Sequence, residues 1–468
     1  MKKIYIYLLY FFLFISFIET TNAQERSNKR GVSYQIPYIE DLEVLSPGVC
    51  WFYNWAINPH PTIFDVYQDY DMDYIPMAWN NSYDRTALRE FLTNHPNVKY
   101  ILGFNEPNFT AQANMTPTAA AAAWPELESI ADEFGLKIVG PAMNYAPANG
   151  AVSEGGVTYT NPFEYLDAFF AACPNCRVDY IAAHCYMNTP EALNGYVNTY
   201  IQKYNKPVWL TEFCAWEYNK PLTSGATAGY EYQRASMIRK IELLEKNPMV
   251  EKYAWFIPRY GSTTSFPYMQ LLKNVRVNPD VNPGLLTELG KIYVNMSSFD
   301  TAHYFGINEK IPSKDYIESF YVTLEESTDS TSSIPIQLCN FQNGIYVDYL
   351  VDVPTAGEYP LYLRLTKTST TVDPRFKIYS NGNQIAEQTI SITDTCVWET
   401  KTFNITLPAG KQKIRIGGWD ASGCKLQWFS VGEPKEKELP SATIVYVDEQ
   451  KYLHIISNQN KNIVSLYY

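Results

Sequence analysis

Tyr100-Ile101-Leu102-Gly103-Phe104-Asn105-Glu106-Pro107-Asn108 places an apolar run directly before an amide and a carboxylate. The run reads as a buried strand, and the strand ends by presenting Asn105 and Glu106. Trp209-Leu210-Thr211-Glu212-Phe213 repeats the device about a hundred residues on, with Glu212 as the strand-end acid. Chemistry that needs two facing carboxyl groups is served by such a pair, and a barrel of parallel strands delivers both to one mouth.

Outward from these two stretches, short apolar runs alternate with helical patterns from Lys29 to about Phe299. The predicted strands are 31–36, 48–55, 74–80, 100–106, 137–143, 178–186, 207–213 and 253–259. Thr116 with Pro117 starts a predicted helix that stops near Gly135, and Thr189 with Pro190 starts another running to Tyr204. Further helices are predicted over 230–247 and 282–296. Eight strand–helix units in this length predict a (β/α)8 TIM barrel. An open doubly wound sheet would typically carry a Gly-rich phosphate loop after an early strand, and none is present. Glu106 and Glu212 then fall on the fourth and seventh strands.

With 468 residues the chain exceeds one ordinary core. After Ser313 the pattern changes to short alternating strands separated by turns such as Pro354-Thr355-Ala356-Gly357 and Pro408-Ala409-Gly410, which predicts a β-sandwich. The expected organisation is a signal peptide over 1–23, a barrel domain over 27–300, a β-sandwich over 314–433, a charged linker at 433–438 and a C-terminal segment over 441–468. Lys2 and Lys3 precede the apolar stretch 4–18, and Thr21-Asn22-Ala23 supplies the small residues of a cleavage site, so export is expected rather than a membrane anchor. No Cys follows that site, and no later segment is apolar enough to span a bilayer.

The formal charge of −12 argues against nucleic acid, which is bound largely by neutralising phosphates with Lys and Arg. Aromatics make up 15% of the residues, with 38 Tyr and 10 Trp, and these rings suit the C–H faces of sugars. Eight Cys in an exported chain permit disulfides, and Cys173-Pro174-Asn175-Cys176 is the best local candidate. A zinc half-site lacks a second matching ligand pair, so no metal is expected. Cys185 and Cys214, near the ends of neighbouring predicted strands, are a second possible pair.

Two carboxyls about 5–5.5 Å apart perform glycoside hydrolysis with retention, one as acid/base and one as nucleophile. Glu106 is assigned the first role and Glu212 the second. Asp179 lies early in its strand, and Glu217 and Glu231 lie in or beyond a loop, so these rivals are set aside as solvated or structural.

Here the chain resembles the clan A glycoside hydrolases, in which an Asn-Glu-Pro motif on strand four carries the acid/base and strand seven the nucleophile. It is most similar to the family 128 endo-β-1,3-glucanases. The resemblance rests on Lys29-Arg30-Gly31, Trp51-Phe52-Tyr53-Asn54-Trp55, Pro76-Met77-Ala78-Trp79, Gly103 to Asn108, His184-Cys185-Tyr186, Leu210-Thr211-Glu212-Phe213 and Leu286-Thr287-Glu288-Leu289-Gly290. It implies that Asn105 hydrogen-bonds the sugar 2-OH, and that His184 and Tyr186 orient the nucleophile and line the cleft. Trp51, Trp55, Trp79 and Trp255 would stack successive glucose rings; the other reading of each is a core or helix-packing aromatic. The implied protein is a secreted or surface-associated, monomeric endo-β-1,3-glucanase that needs no cofactor and acts on β-glucan. Hydrolysis of another β-glycan, or non-catalytic glucan binding, are the alternatives.

The predicted sandwich resembles the family 6 carbohydrate-binding modules through Tyr349-Leu350-Val351-Asp352-Val353-Pro354, Ala356-Gly357-Glu358-Tyr359, Leu407-Pro408-Ala409-Gly410 and Gln427-Trp428-Phe429. It departs from them at Lys425 and Asn340, where that family tends to place an Asn and an aromatic. Trp398 and Trp419 are the remaining stacking candidates. Ile317-Glu318-Ser319-Phe320 keeps one acid of the pair that holds calcium in such modules, so sugar binding and a spacer role both stay open. Ile444-Val445-Tyr446 and Leu453-His454-Ile455 resemble the start of a Bacteroidetes sorting tail.

Overall fold

A computed structural model describes residues 24–219, 226–260, 266–275, 281–368, 373–419, 421, 423–435 and the backbone of three strands between 443 and 467. The expected signal peptide and part of the linker lie outside the described residues. Two compact units divide the chain after Gly306.

The first unit contains an eight-stranded parallel sheet. Its strands are β1 (Arg30–Ser33), β2 (Trp51–Tyr53), β3 (Asp73–Tyr74), β4 (Tyr100–Leu102), β5 (Lys137–Met143), β6 (Tyr180–Cys185), β7 (Val208–Phe213) and β8 (Val250–Trp255). In hydrogen-bonding order they run β3-β2-β1-β8-β7-β6-β5-β4. This order fits a (β/α)8 barrel, the predicted class, but no ladder joins β3 to β4. Among the described residues, an isolated parallel bridge, Met77 to Leu102, joins the segment after β3 to β4. Several strands are shorter than predicted because their ends leave the ladder: Phe104, Asn105 and Glu106 lie past β4, though Glu106 N still donates to Ala142 O at 2.9 Å.

Helices alternate with these strands: α1 (Ile39–Leu45), α2 (Arg85–Asn94), α3 (Pro117–Glu133), α4 (Pro162–Ala172), α5 (Pro190–Tyr204), α6 (Ala226–Lys246) and α7 (Glu288–Asn295). The capping signals act as read. Thr116 Oγ1 accepts from Ala119 N and Thr189 Oγ1 from Ala192 N, each at 3.3 Å, with proline in the first turn. The last helix is shorter than predicted. It starts at Glu288 under a Thr287 cap, while Gly284 is held in the preceding loop by a bond to Asp41. Among the described residues, no helix is long and apolar enough to cross a membrane.

Alternation sends one side chain in two into the sheet's enclosed core, where Trp51, Tyr53, Met77, Leu102, Val139, Ala182, Trp209 and Ala254 pack together. Gly31 makes room for the largest of these: a Cβ there would lie 2.3 Å from the Trp51 ring. Trp51 Nε1 donates to Lys29 O at 3.0 Å, which fixes the indole at the strand-start end.

At the other end a buried ion pair ties α1 to two loops. Arg259 reaches Asp41 through both Nη atoms at 2.6 and 2.9 Å, and Asp41 also accepts from Gly284 N at 2.9 Å. Removing one partner strands the other charge in a dry site, which costs about 3–5 kcal/mol. Asp41→Ala is therefore expected to lower the urea unfolding free energy by roughly that amount; a loss under about 1 kcal/mol, the surface-pair range, would contradict it.

The second unit has two antiparallel sheets, consistent with the predicted β-sandwich. One pairs Tyr346–Val353, Gly410–Trp419, Arg375–Ser380 and Asn383–Thr389 in that order, with Glu318–Phe320 also on the first. The other pairs Thr323–Glu326, Ile336–Cys339, Cys424–Val431, Gly357–Lys367 and Glu399–Leu407. Tyr349 from the first meets Phe429 from the second, ring centroids 4.6 Å apart. Thr443–Val447, Tyr452–Ser457 and Ile463–Tyr467 form a small antiparallel sheet.

Cys173 and Cys176 are disulfide-bonded, as the spacing predicts. Cys185 and Cys214 are both free and buried, so the second predicted pairing is not made.

Candidate active site

Past β4 the chain keeps pairing in fragments. Asn105 N donates to Trp79 O and Glu106 N to Ala142 O, both at 2.9 Å, so the tip of the fourth strand is held from two sides. Glu106 has a φ of +41°, in the left-handed region that costs a side-chain-bearing residue about 1–3 kcal/mol. That turn is where the strand gives way to the loop. Gly103 lets the tip sit close to α3, since a Cβ there would lie 2.6 Å from the Trp124 ring.

On β6 and β7, His184 stands opposite Glu212 across a local register irregularity. His184 Nδ1 lies 2.8 Å from Glu106 Oε1 and 3.4 Å from Glu212 Oε2. Those two carboxylate oxygens are therefore no more than 6.2 Å apart, the sum of the two distances. Glu106 is 7% exposed and Glu212 5%, so the pair is buried rather than set on the surface.

The two glutamates have different surroundings. Glu212 Oε1 accepts from Tyr53 OH at 3.0 Å and Trp55 Nε1 at 2.7 Å, and its Oε2 accepts from Tyr186 OH. Glu106 Oε1 accepts from Asn144 Nδ2 at 3.0 Å. Burial and the neighbouring Glu106 charge raise the pKa of Glu212, while His184, Tyr186 and Trp55 pull it back. Burial alone would lower the pKa of His184, but the Glu212 and Glu106 carboxylates outweigh it and the net shift is upward. Burial and the Glu212 charge push the Tyr53 and Tyr186 phenols well above their ordinary value, which keeps them neutral hydrogen-bond donors.

Of the residues singled out from sequence, Glu106, Glu212, His184, Tyr186 and Trp55 meet in one hydrogen-bonded cluster. Asn105 adjoins it, with Nδ2 donating to Gln112 at 3.3 Å and a buried Oδ1 that has no hydrogen-bond partner among the described residues. Trp79 is half-buried above the core. Trp51 and Trp255 correct the expectation, because both are fully buried. Trp51 sits against Trp209 at 5.1 Å, and Trp255 packs between Phe213 and Tyr293 of α7 with Nε1 on Met269 O. Neither can stack a sugar ring. The rival acids are elsewhere: Asp179 binds Ile138 N and Arg177, Glu231 pairs with Arg234, and Glu217 is exposed.

Tyr53, Asn144, Phe256 and Trp216 were not singled out. Tyr53 shares the face of Trp51 by alternation. Asn144 is the polar residue directly after β5, the same strand-end signal that marks Glu106. Phe256 and Trp216 each lie 5.4 Å from the Tyr186 ring, centroid to centroid.

In the second unit, Lys425 pairs with Glu325 at 2.6 Å and Glu318 faces Lys413 at 3.5 Å. Lys377 Nζ covers one face of Trp419 at 3.8 Å, and Trp398 Nε1 bonds Thr328. Among the described residues, no group of three His, Cys, Asp or Glu could hold a metal.

Two buried carboxyl groups bridged by one histidine, at the strand-end mouth of a parallel sheet, define a glycoside hydrolase. The chain belongs to the glycosyl hydrolase catalytic core family, whose model matches residues 31–293. It is similar to a solved glycoside hydrolase family 128 (subgroup II) endo-β-1,3-glucanase from Pseudomonas viridiflava, 35% identical over 57% of this chain and 98% of that one, with a TM-score of 0.49. The corresponding Sorangium cellulosum enzyme is 36% identical over 57% and 97% of the two chains, with a TM-score of 0.47. A curated relative, alkali-sensitive linkage protein 1 of Schizosaccharomyces pombe, is 24% identical over 275 residues, 58% of this chain and 45% of that protein. The chain thus spans under half the length of that relative.

Proposed function

We propose that the protein is a secreted, retaining endo-β-1,3-glucanase of glycoside hydrolase family 128. The observation that carries the mechanism is the shared His184 nitrogen. The two carboxylate oxygens that share it are at most 6.2 Å apart, a close approach that supports the roughly 5–5.5 Å carboxyl separation of retaining enzymes.

Glu212, which accepts from two phenols and an indole, attacks the anomeric carbon as the anion. Glu106 gives its proton to the glycosidic oxygen as the C–O bond breaks. It then takes a proton from the water that displaces Glu212. The unpartnered Asn105 Oδ1 suits a bond to the sugar 2-OH. The Met77–Leu102 bridge supports reading the sheet as a closed barrel.

The substrate reading is supported by the seven motifs and by 35% identity across 98% of an enzyme described as an endo-β-1,3-glucanase. Export rests on the Lys2-Lys3 and Ile4–Ile18 pattern. Whether the second unit binds glucan as a family 6 module belongs to the same proposal.

Product analysis tests the substrate: laminarin and curdlan should yield a ladder of oligosaccharides, and β-1,6-linked pustulan none. Cleavage of pustulan alone would sink it.

The mechanism also has a pH consequence. Glu212 must be ionised to attack, so activity falls as pH drops through its raised pKa. Tyr186→Phe removes a donor that favours the ion, so the acid limb of the kcat/KM profile should move to higher pH. An unmoved limb, or one at lower pH, would contradict the assignment.

A further inference from the structure

Asn144 follows the last residue of β5, and three bonds fix its position. Its backbone carbonyl accepts from Asn108 Nδ2 at 2.8 Å, and its Oδ1 accepts from Tyr145 N at 2.9 Å. The amide nitrogen is left to face Glu106 Oε1 at 3.0 Å. Turning the amide over would set oxygen against oxygen and N–H against N–H, so the network decides its orientation.

The same Oε1 lies 2.8 Å from His184 Nδ1. His184 Nε2 is buried and has no hydrogen-bond partner among the described residues. A bare ring nitrogen tolerates that better than an unpaired N–H does, which places the hydrogen of neutral His184 on Nδ1 and makes it a donor to Glu106. Oε1 therefore receives two N–H donors, and among the described residues no protein donor reaches Oε2.

We infer that Asn144 is a positioning residue for proton transfer: with His184 it fills Oε1, so the transferable proton of Glu106 resides on Oε2. In the first step the C1–O bond breaks and C1 bonds to Glu212. The Oε2 proton passes to the departing sugar oxygen, and Glu106 becomes a carboxylate stabilised by Asn144 and His184. In the second step a water oxygen bonds to C1, the Glu212–C1 bond breaks and the water's proton returns to Oε2. Asn108 supports the arrangement from behind, which gives the last residue of the opening motif a role through Asn144.

The inference rests on reading Glu106 as the acid/base, and the test separates the two. kcat/KM, which reports the first bond cleavage, is measured for the wild type, Asn144→Ala and Asn144→Asp on laminarin and on 2,4-dinitrophenyl β-laminaribioside. The dinitrophenolate leaves without needing a proton. Asn144→Ala should lose roughly 10-fold or more on laminarin and less than about threefold on the aryl substrate. Asn144→Asp, which keeps the shape and sets a like charge beside Glu106, should lose at least as much on laminarin; it carries the comparison if the alanine variant fails to fold. Equal losses on both substrates, or unchanged laminarin turnover in both variants, overturns the positioning role. A wild type inactive on laminarin would instead overturn the glucanase reading, and the inference with it.

Discussion

Glu212→Ala is expected to abolish laminarin hydrolysis, with a loss of about 10⁴-fold or more, because the covalent intermediate would form on that carboxylate. Trp55, Tyr53 and Tyr186 are aimed at that one carboxylate and cannot substitute for it. The loss should be equally severe on an activated aryl glycoside, since a better leaving group does not replace the nucleophile. Turnover near the wild-type level in this variant would remove Glu212 from the mechanism.

Glu106→Ala should behave differently. Losing the acid costs roughly 10²–10⁴-fold on laminarin, whose leaving oxygen must be protonated. The first step on a dinitrophenyl glycoside should be far less affected. The intermediate should then persist, because the base that activates water is also gone, and a burst of dinitrophenolate followed by slow turnover should be seen. Added azide, which needs no base, should restore turnover and give a glycosyl azide. Equal losses on both substrates with no azide rescue would mean that Glu106 does not donate the proton.

The contrast follows from the surroundings of the two acids, and only part of it was readable from sequence. Glu106 and Glu212 were legible because a polar residue ending an apolar strand stands out from its neighbours. Trp51 and Tyr53 share a face of β2 by alternation, and Trp55 follows past the strand end with a left-handed φ of +61°. Position along the strand decides the outcome: Trp51 is tied to Lys29 at the strand start, while Tyr53 and Trp55 reach the Glu212 carboxylate. Parity in sequence gives the face of a strand, not its depth in the sheet.

Trp255 failed for the opposite reason. Its neighbour Ala254 faces the core, so Trp255 turns outward under α7. The division of labour at His184 was also hidden. The resemblance implies that His184 orients Glu212, and its Nδ1 lies near both glutamates, at 2.8 Å from Glu106 and 3.4 Å from Glu212. A register irregularity lies between Ala183 and His184, where a sequence pattern assumes regular pairing.

The most direct test of the paired-carboxylate account is the anomer first released from laminarin, read by proton NMR in the first minutes of digestion before mutarotation. Double displacement through Glu212 predicts that the β-anomer of the new reducing end appears first and the α-anomer grows in afterwards. Initial release of the α-anomer would mean a single displacement by water and would contradict the account.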